Sequence, residues 1–126
     1  MSDLAVEITG FVVGDDLEIR RTVTELLAPI EVAWLTVKHH PGQPDEDARL
    51  QKRITTTNAP GTGYITDTGG PDIDGDLRFD LTQADTANLG SRKYVHDIQI
   101  RLTSGMVYTI EKGTVQLEAD VTKGTA

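Results

Sequence analysis

Apolar side chains recur at every second position along much of this chain, and this period limits the fold more than any other feature. The clearest run spans 94–102, where tyrosine, histidine, isoleucine and leucine alternate with valine, aspartate, glutamine and arginine. Shorter runs of the same period span 17–23, 77–81 and 115–121. A period of two places one side of a strand on a core and the other toward solvent or a partner. These runs therefore predict strands.

Turn residues separate the runs at short intervals. Prolines and glycines break the chain at 41–44, and five glycines with two prolines fall within 58–75. Ser104-Gly105 predicts a tight hairpin turn, and Lys112-Gly113 marks a bulge or a further turn. Short strands at this spacing, with turn signals between them, are typical of a β-sandwich.

A short helical element precedes the run at 94. In Thr82–Leu89 the threonine is suited to cap the first turn, Asp85 takes the third helical position, and Gly90 supplies a stop. A turn that holds Asp85 and Leu89 and leads to Tyr94 near the start of a strand is similar to the tyrosine corner of immunoglobulin-like domains. We therefore predict an all-β fold, an immunoglobulin-like β-sandwich of about seven or eight antiparallel strands with one short helical turn.

Length and charge restrict the class of protein. The chain has 126 residues, which fits one ordinary domain, so we expect 1–126 to form a single β-sandwich. A net charge of −8 argues against non-specific binding to nucleic acid. No apolar run is long enough for a membrane helix, and the first residues lack the basic region of a signal peptide. We expect a soluble protein, made in a cytoplasm, that binds neither nucleic acid nor membrane.

The last third of the chain carries a resemblance. The threonine-containing block 81–89 leads to Tyr94-Val95-His96-Asp97-Ile98-Gln99, and the Ser104-Gly105 hairpin leads to a strand that ends in Asp120-Val121-Thr122. This pattern resembles small structural proteins of tailed bacteriophages, including the amino-terminal domain family of phage baseplate upper proteins. The resemblance covers 77–122 well and the first half only loosely, through Gly14-Asp15-Asp16-Leu17.

What the resemblance implies is a place in a virion. It implies a non-enzymatic structural component of the tail, baseplate, neck or capsid surface, made in the cytoplasm of the host bacterium. Its expected partners are other virion proteins and further copies of itself.

One acidic cluster raises the question of a metal site. In Asp72-Ile73-Asp74-Gly75-Asp76, three carboxylates at alternate positions have the oxygen ligands that calcium takes. An EF-hand loop that begins at Asp72 would need a glycine and a glutamate where Leu77 and Gln83 stand. We interpret the cluster as a solvated turn and expect neither a metal nor a cofactor.

The sequence offers no group of residues suited to catalysis. His39 and His40 are neighbours on a strand and so face opposite ways, as do His96 and Asp97. The serines fall in terminal or turn segments, and nothing places one beside a histidine with an orienting carboxylate. We therefore expect no enzymatic activity and no small-molecule substrate.

Three polar or aromatic residues are candidates for an interaction face. Asp97 and Gln99 alternate with the apolar side of their run, so they belong to its other side, either as a solvated surface or as contacts to a partner. Trp34 is either a core residue or an interface anchor. The alternative function is a carbohydrate-binding or adhesin-like sandwich, although six dispersed aromatic residues are few for binding sugars. An inhibitor or regulator domain of a bacterial cytoplasm stays open.

Overall fold

The computed structural model describes residues 5–12, 14–39 and 49–118, the first range by its backbone alone. Within these ranges the chain forms eight strands and one helix. In chain order they are β1 (Ala5–Val12), β2 (Leu17–Val23), β3 (Ile30–Lys38), β4 (Leu50–Ile54), β5 (Gly63–Asp67), β6 (Gly75–Leu81), α1 (Gln83–Leu89), β7 (Lys93–Leu102) and β8 (Val107–Glu118).

The strands form two sheets. One has five strands in the order β1-β8-β7-β3-β4, and the other has three in the order β2-β6-β5. Strands β3, β7 and β8 thus share one sheet while β2, β5 and β6 share the other, and the short helix joins β6 to β7. This is the arrangement of an immunoglobulin-like sandwich, with β4 added beside β3. The predicted fold class is confirmed.

One pairing differs from the prediction. β1 runs parallel to β8, with Ala5 opposite Lys112 and Val12 opposite Glu118, while every other pair among the described strands is antiparallel. A two-residue hairpin would force antiparallel pairing, but β1 reaches the edge of β8 from the opposite end of the chain. The expectation of antiparallel strands throughout is therefore wrong for β1.

The core lies between the sheets. Its side chains come from alternate positions of both sheets and form one cluster, in which Leu35, Phe79 and Ile98 have no exposed surface. Burying a side chain of this size stabilises the fold by about 1.5–3 kcal/mol. Gly63 is needed where β5 meets β6, because its φ is +111° and a Cβ there would lie 2.0 Å from the carbonyl oxygen of Arg78.

The predicted helical turn is the helix α1. The Asp85 amide donates to Thr82 Oγ1 at 3.2 Å, and the Thr82 amide donates to the Asp85 carboxylate at 2.8 Å, which makes a capping box. Lys52 Nζ lies 2.7 Å from the same carboxylate. Burial acts to raise the pKa of Asp85, but the hydrogen bonds from Lys52 and Thr82 outweigh it and hold the pKa below its ordinary value.

The helix and the start of β7 form the corner. Leu89 is buried and Gly90 ends the helix, donating its amide to Thr86. Tyr94 follows with its ring in the core, and within the described residues its buried hydroxyl has no hydrogen-bond partner. The hydrogen bond typical of a tyrosine corner is therefore not made here. Burial raises the pKa of Tyr94.

The strand β8 is longer than the sequence indicates. It runs without a turn through Gly113, which lies opposite His96 of β7. The irregularity lies earlier, at Ile110, because Ile98 pairs with Glu111 while Gln99 pairs with Thr109. Gly105, at φ +93°, closes the β7–β8 hairpin.

Within the described part of the chain, none of the helical structure has the length and apolar character that a membrane-spanning helix requires. That 1–126 form a single domain stays a prediction.

Candidate functional site

The three candidate residues lie side by side on one surface, the outer face of the five-stranded sheet. We use this name for the outward side chains of β3, β7 and β8. Trp34 of β3 lies opposite Gln99 of β7, and Asp97 lies opposite Thr36, the next outward residue of β3. The core takes the alternate residues of both strands. Sheet register thus brings together residues that are more than sixty positions apart in the sequence.

Trp34 is half-buried and points away from the core, because Ala33 and Leu35 take the inward positions beside it. The interpretation of Trp34 as a core residue is therefore wrong, and its role as an interface anchor stays a prediction. The guanidinium of Arg101 lies 5.8 Å from the centre of the indole ring. Arg101 Nε also donates to Glu31 Oε1 at 2.8 Å. A cation over an aromatic ring at an exposed site stabilises by about 0.5–1 kcal/mol.

Polar contacts hold the neighbouring side chains of this face in place. Gln99 Nε2 donates to Thr109 Oγ1 at 3.3 Å, and Gln51 Nε2 donates to Thr36 Oγ1 at 3.1 Å. Thr36 is 4% exposed although it belongs to the outer side of its strand. Asp97 lies opposite Lys112 and beside a shallow depression of about 240 Å³. The face thus presents one aromatic ring among amides and hydroxyls of fixed orientation, together with the charged residues Arg101, Asp97 and Lys112.

The outer face of the three-stranded sheet is different. It also has an aromatic residue under an arginine, with the Arg78 guanidinium 5.4 Å from the centre of the Tyr64 ring. Here, however, Arg78 donates to both carboxylate oxygens of Asp80, at 3.0 and 2.9 Å, and lies 3.6 Å from Glu18. Arg20 pairs with Glu18 as well. A surface whose charges pair with one another is typical of a solvated sheet face.

A buried ionic cluster connects the two sheets, and sequence analysis missed it. Arg21 of β2 donates from Nε to Glu111 Oε1 at 2.6 Å and from a terminal nitrogen to Oε2 at 3.2 Å. His96 Nε2 lies 2.7 Å from the same Oε2. The His96 side chain has no exposed surface, and its Nδ1 has no hydrogen-bond partner among the described residues. One carboxylate thus links three strands.

Two signals in the sequence pointed to this cluster. Arg21 takes an inward position in the alternation of 17–23, and His96 takes one in the alternation of 94–102. A charged residue on the buried side of a strand needs a partner. Glu111 could not be assigned in the same way, because the bulge at Ile110 changes which residues of β8 face inward.

The electrostatics of the cluster favour a charged carboxylate. Burial acts to raise the pKa of Glu111, but hydrogen bonds from His96 and Arg21 outweigh it, so the pKa lies below its ordinary value. The carboxylate is held on both oxygens, and its partners come from both sheets. The geometry therefore suits a cross-link between the sheets.

The other residues considered for chemistry lie apart from one another. Asp76 accepts a hydrogen bond from Thr22 Oγ1 at 2.8 Å, and Asp72 has a φ of +65° in the turn before β6. Across 14–39 and 49–118, no three acidic or histidine side chains converge as a metal site would require. Ser91 and Ser104 are exposed, while His40 lies outside the described residues. The expected lack of enzymatic activity stays a prediction.

Comparison with known proteins adds little to the description of this chain. No protein-family model matches the chain, and no curated protein matches it. Among solved structures, it is similar to ACE19, the collagen binding subdomain of the Enterococcus faecalis surface protein ACE. The two share 20% sequence identity over 86% of this chain and 79% of that one, with a TM-score of 0.29. A likeness of this degree carries no argument about function.

Proposed function

We propose that this chain is a non-enzymatic structural component of a tailed-phage virion. In this proposal it binds other virion proteins, and further copies of itself, through the outer face of the five-stranded sheet. The resemblance of 77–122 to phage structural proteins supports the virion. Of the residues that carry it, those at 83–118 form α1, β7 and β8, and β7 and β8 contribute to that face.

The observation that carries the binding role is the contrast between the two outer faces. On the three-stranded sheet, arginines and carboxylates pair with one another across the surface. On the five-stranded sheet, Arg101 pairs with Glu31, and beside this pair Trp34 stands half-exposed among residues that offer amides and hydroxyls. Tryptophan and arginine are enriched among residues that dominate the energy of protein interfaces. The Trp34–Arg101 pair is therefore the proposed centre of the contact.

Carbohydrate binding is the second candidate, because a tryptophan ring beside polar groups also suits a sugar. Arg101 disfavours it, since a sugar stacked on that side of the indole would have to displace the guanidinium and break its bond to Glu31. Titration of the protein with mono- and oligosaccharides, followed by tryptophan fluorescence, distinguishes the two. With one tryptophan in the chain, any stacking at this site changes the signal directly.

The matched variants Trp34→Ala and Tyr64→Ala test the proposal. Each removes an aromatic residue that lies under an arginine on the outside of a sheet. We expect Trp34→Ala to reduce the amount of chain found in purified phage particles by about tenfold or more, while Tyr64→Ala leaves it near wild type. Quantitative mass spectrometry of the particles measures both. Equal incorporation of the two variants would contradict the assigned face, and absence of the wild-type chain would contradict the virion role.

A further inference from the structure

We propose that one end of the sandwich is a second docking surface, for a protein whose contact site is an apolar depression rimmed by lysine and arginine. The surface, here called the apolar tip, consists of the loops 24–29, 68–74 and 103–106 together with Val107, which lies opposite Arg101 and so borders the outer face of the five-stranded sheet. It goes beyond the outer face of the five-stranded sheet and rests on the proposed function only in assuming that the chain binds proteins.

The three loops of the apolar tip are held against one another by backbone hydrogen bonds. The amide of Asp72 donates to the carbonyl of Leu26 at 3.2 Å, which joins the second loop to the first. The amide of Thr103 donates to the carbonyl of Pro29 at 2.9 Å, which joins the third loop to the first. Leu26 is buried beneath them. The three loops therefore form one continuous surface.

Apolar exposure is concentrated on this surface. Leu27, Ile73, Met106 and Val107 are 67%, 61%, 46% and 55% exposed, and they are the large hydrophobic residues that stand exposed among those whose side chains are described. A single exposed apolar residue is ordinary, but several gathered on one end of a domain mark an interaction site. Within the described part of the chain, the opposite end has no counterpart.

The backbone of the tip is also strained. Glu25 has a φ of +59° and Asp72 a φ of +65°, and among the described residues other than glycine these two have a positive φ. Such a conformation is unfavourable for a residue with a Cβ and persists only where the surrounding structure imposes it. The loops are also closely packed, since a Cβ at Gly69 would lie 2.7 Å from Leu26 Cδ1. Loops fixed in this way lose little conformational freedom on binding, which favours affinity.

Charge identifies the kind of partner. The three loops contain the carboxylates of Glu25, Asp72 and Asp74 and no lysine, arginine or histidine. An anionic rim around an apolar centre repels nucleic acid, an anionic lipid surface and the tip of a second copy. It attracts a protein surface of the opposite sign, and an apolar depression on that surface would receive Leu27 and Met106.

A photo-crosslinking amino acid placed at Met106, and at Ser91 in a control, tests the proposal in cells that produce the chain with its natural partners. Ser91 is exposed and lies beyond α1, at the other end of the sandwich. We expect a crosslink from position 106 to a different protein, at a segment where apolar residues adjoin lysine or arginine. A crosslink to another copy of the chain, a lipid crosslink, or a yield no higher than that of position 91 would overturn the proposal.

Two double variants measure separately how charge and apolar contact contribute to binding at the apolar tip. Leu27→Asp with Ile73→Asp should lower the crosslink yield about tenfold or more. Asp72→Asn with Asp74→Asn should lower it less and should weaken its dependence on salt, since both keep the shape of the turn. All four positions are exposed, so an unchanged unfolding midpoint shows that the fold is retained.

The failure of this proposal and the failure of the proposed function can be told apart. If the chain is missing from phage particles but position 106 crosslinks to a cellular protein, only the virion role is contradicted. If the chain is incorporated into particles in a way that depends on Trp34 but position 106 gives no crosslink, only the proposal for the apolar tip is contradicted.

Discussion

Arg21 in the three-stranded sheet donates two hydrogen bonds to the carboxylate of Glu111 in the five-stranded sheet, at 2.6 and 3.2 Å. Antibody domains join the same two sheets with a disulfide, whose second cysteine comes two residues after the corner tyrosine. In this chain, which has no cysteine, that position is His96, and it bonds to the same carboxylate. An ionic cluster therefore stands where the covalent link would be.

Breaking the cluster should destabilise the fold. Glu111→Gln removes the charge that faces Arg21 and His96; because the Arg21 side chain is 31% exposed and can be hydrated, we expect a loss of about 1–3 kcal/mol. Urea denaturation followed by circular dichroism measures the free energy of unfolding. Glu118→Gln, at an exposed position of the same strand, is the control and should change it little. A loss no larger than that of the control would show that the cluster does not hold the sheets together.

The cluster should also make stability depend on pH in the acidic range. The pKa of Glu111 is lowered on folding, so its contribution is fully present above the pKa of an unfolded glutamate, about 4.3. The contribution is then lost as the pH falls through the lower pKa of the folded state. Unfolding free energies at a series of pH values should show the wild type losing its advantage over Glu111→Gln as the solution is acidified. A constant difference between the two proteins across this range would contradict the lowered pKa.

The capping box at the corner should contribute a smaller amount. Thr82→Ala removes the oxygen that accepts the Asp85 amide, and loss of an N-cap costs about 1 kcal/mol. Thr57→Ala, in an exposed loop, serves as the control in the same denaturation experiment. If both variants have the same urea midpoint of unfolding as the wild type, the capping box does not contribute to stability.

Alanine variants of Gly63 and Gly105 distinguish the destabilising effect of a steric clash from that of backbone strain alone. Both have positive φ, at +111° and +93°, but a Cβ at Gly63 would collide with the Arg78 carbonyl while one at Gly105 would meet nothing within 4 Å. We expect Gly105→Ala to cost about 1 kcal/mol and Gly63→Ala about 3 kcal/mol or more, because β5 must move away from β6. Thermal unfolding of the two variants measures the difference, and similar melting temperatures would argue against the close approach of the strands.

The sequence was informative where local pattern decides the structure. Alternation predicted β2, β6 and β7, and the capping signal at Thr82 with the stop at Gly90 predicted α1. Sequence could not place β1, since pairing with β8 depends on a contact between the two ends of the chain. It also could not show that Glu111 faces inward, because a bulge shifts the alternation by one residue.

The candidate site was predictable in part for the same reason. Asp97 and Gln99 were assigned to the outer side of their strand by alternation, and they lie there. Trp34 was ambiguous, since its strand has apolar residues on both sides and only the packing of Ala33 and Leu35 against the core decides its direction. The apolar tip was invisible in sequence, because its loops are joined by backbone hydrogen bonds between distant segments.

Electron cryomicroscopy of intact phage particles that contain this chain, at side-chain resolution, tests the central claim most directly. We predict that the chain is present as an immunoglobulin-like sandwich whose outer face on the five-stranded sheet is covered by a neighbouring protein or by another copy, with Trp34 and Arg101 inside the contact. Particles that lack the chain, or that contain it with Trp34 facing solvent and the ion-paired face around Arg78 buried instead, would contradict the account.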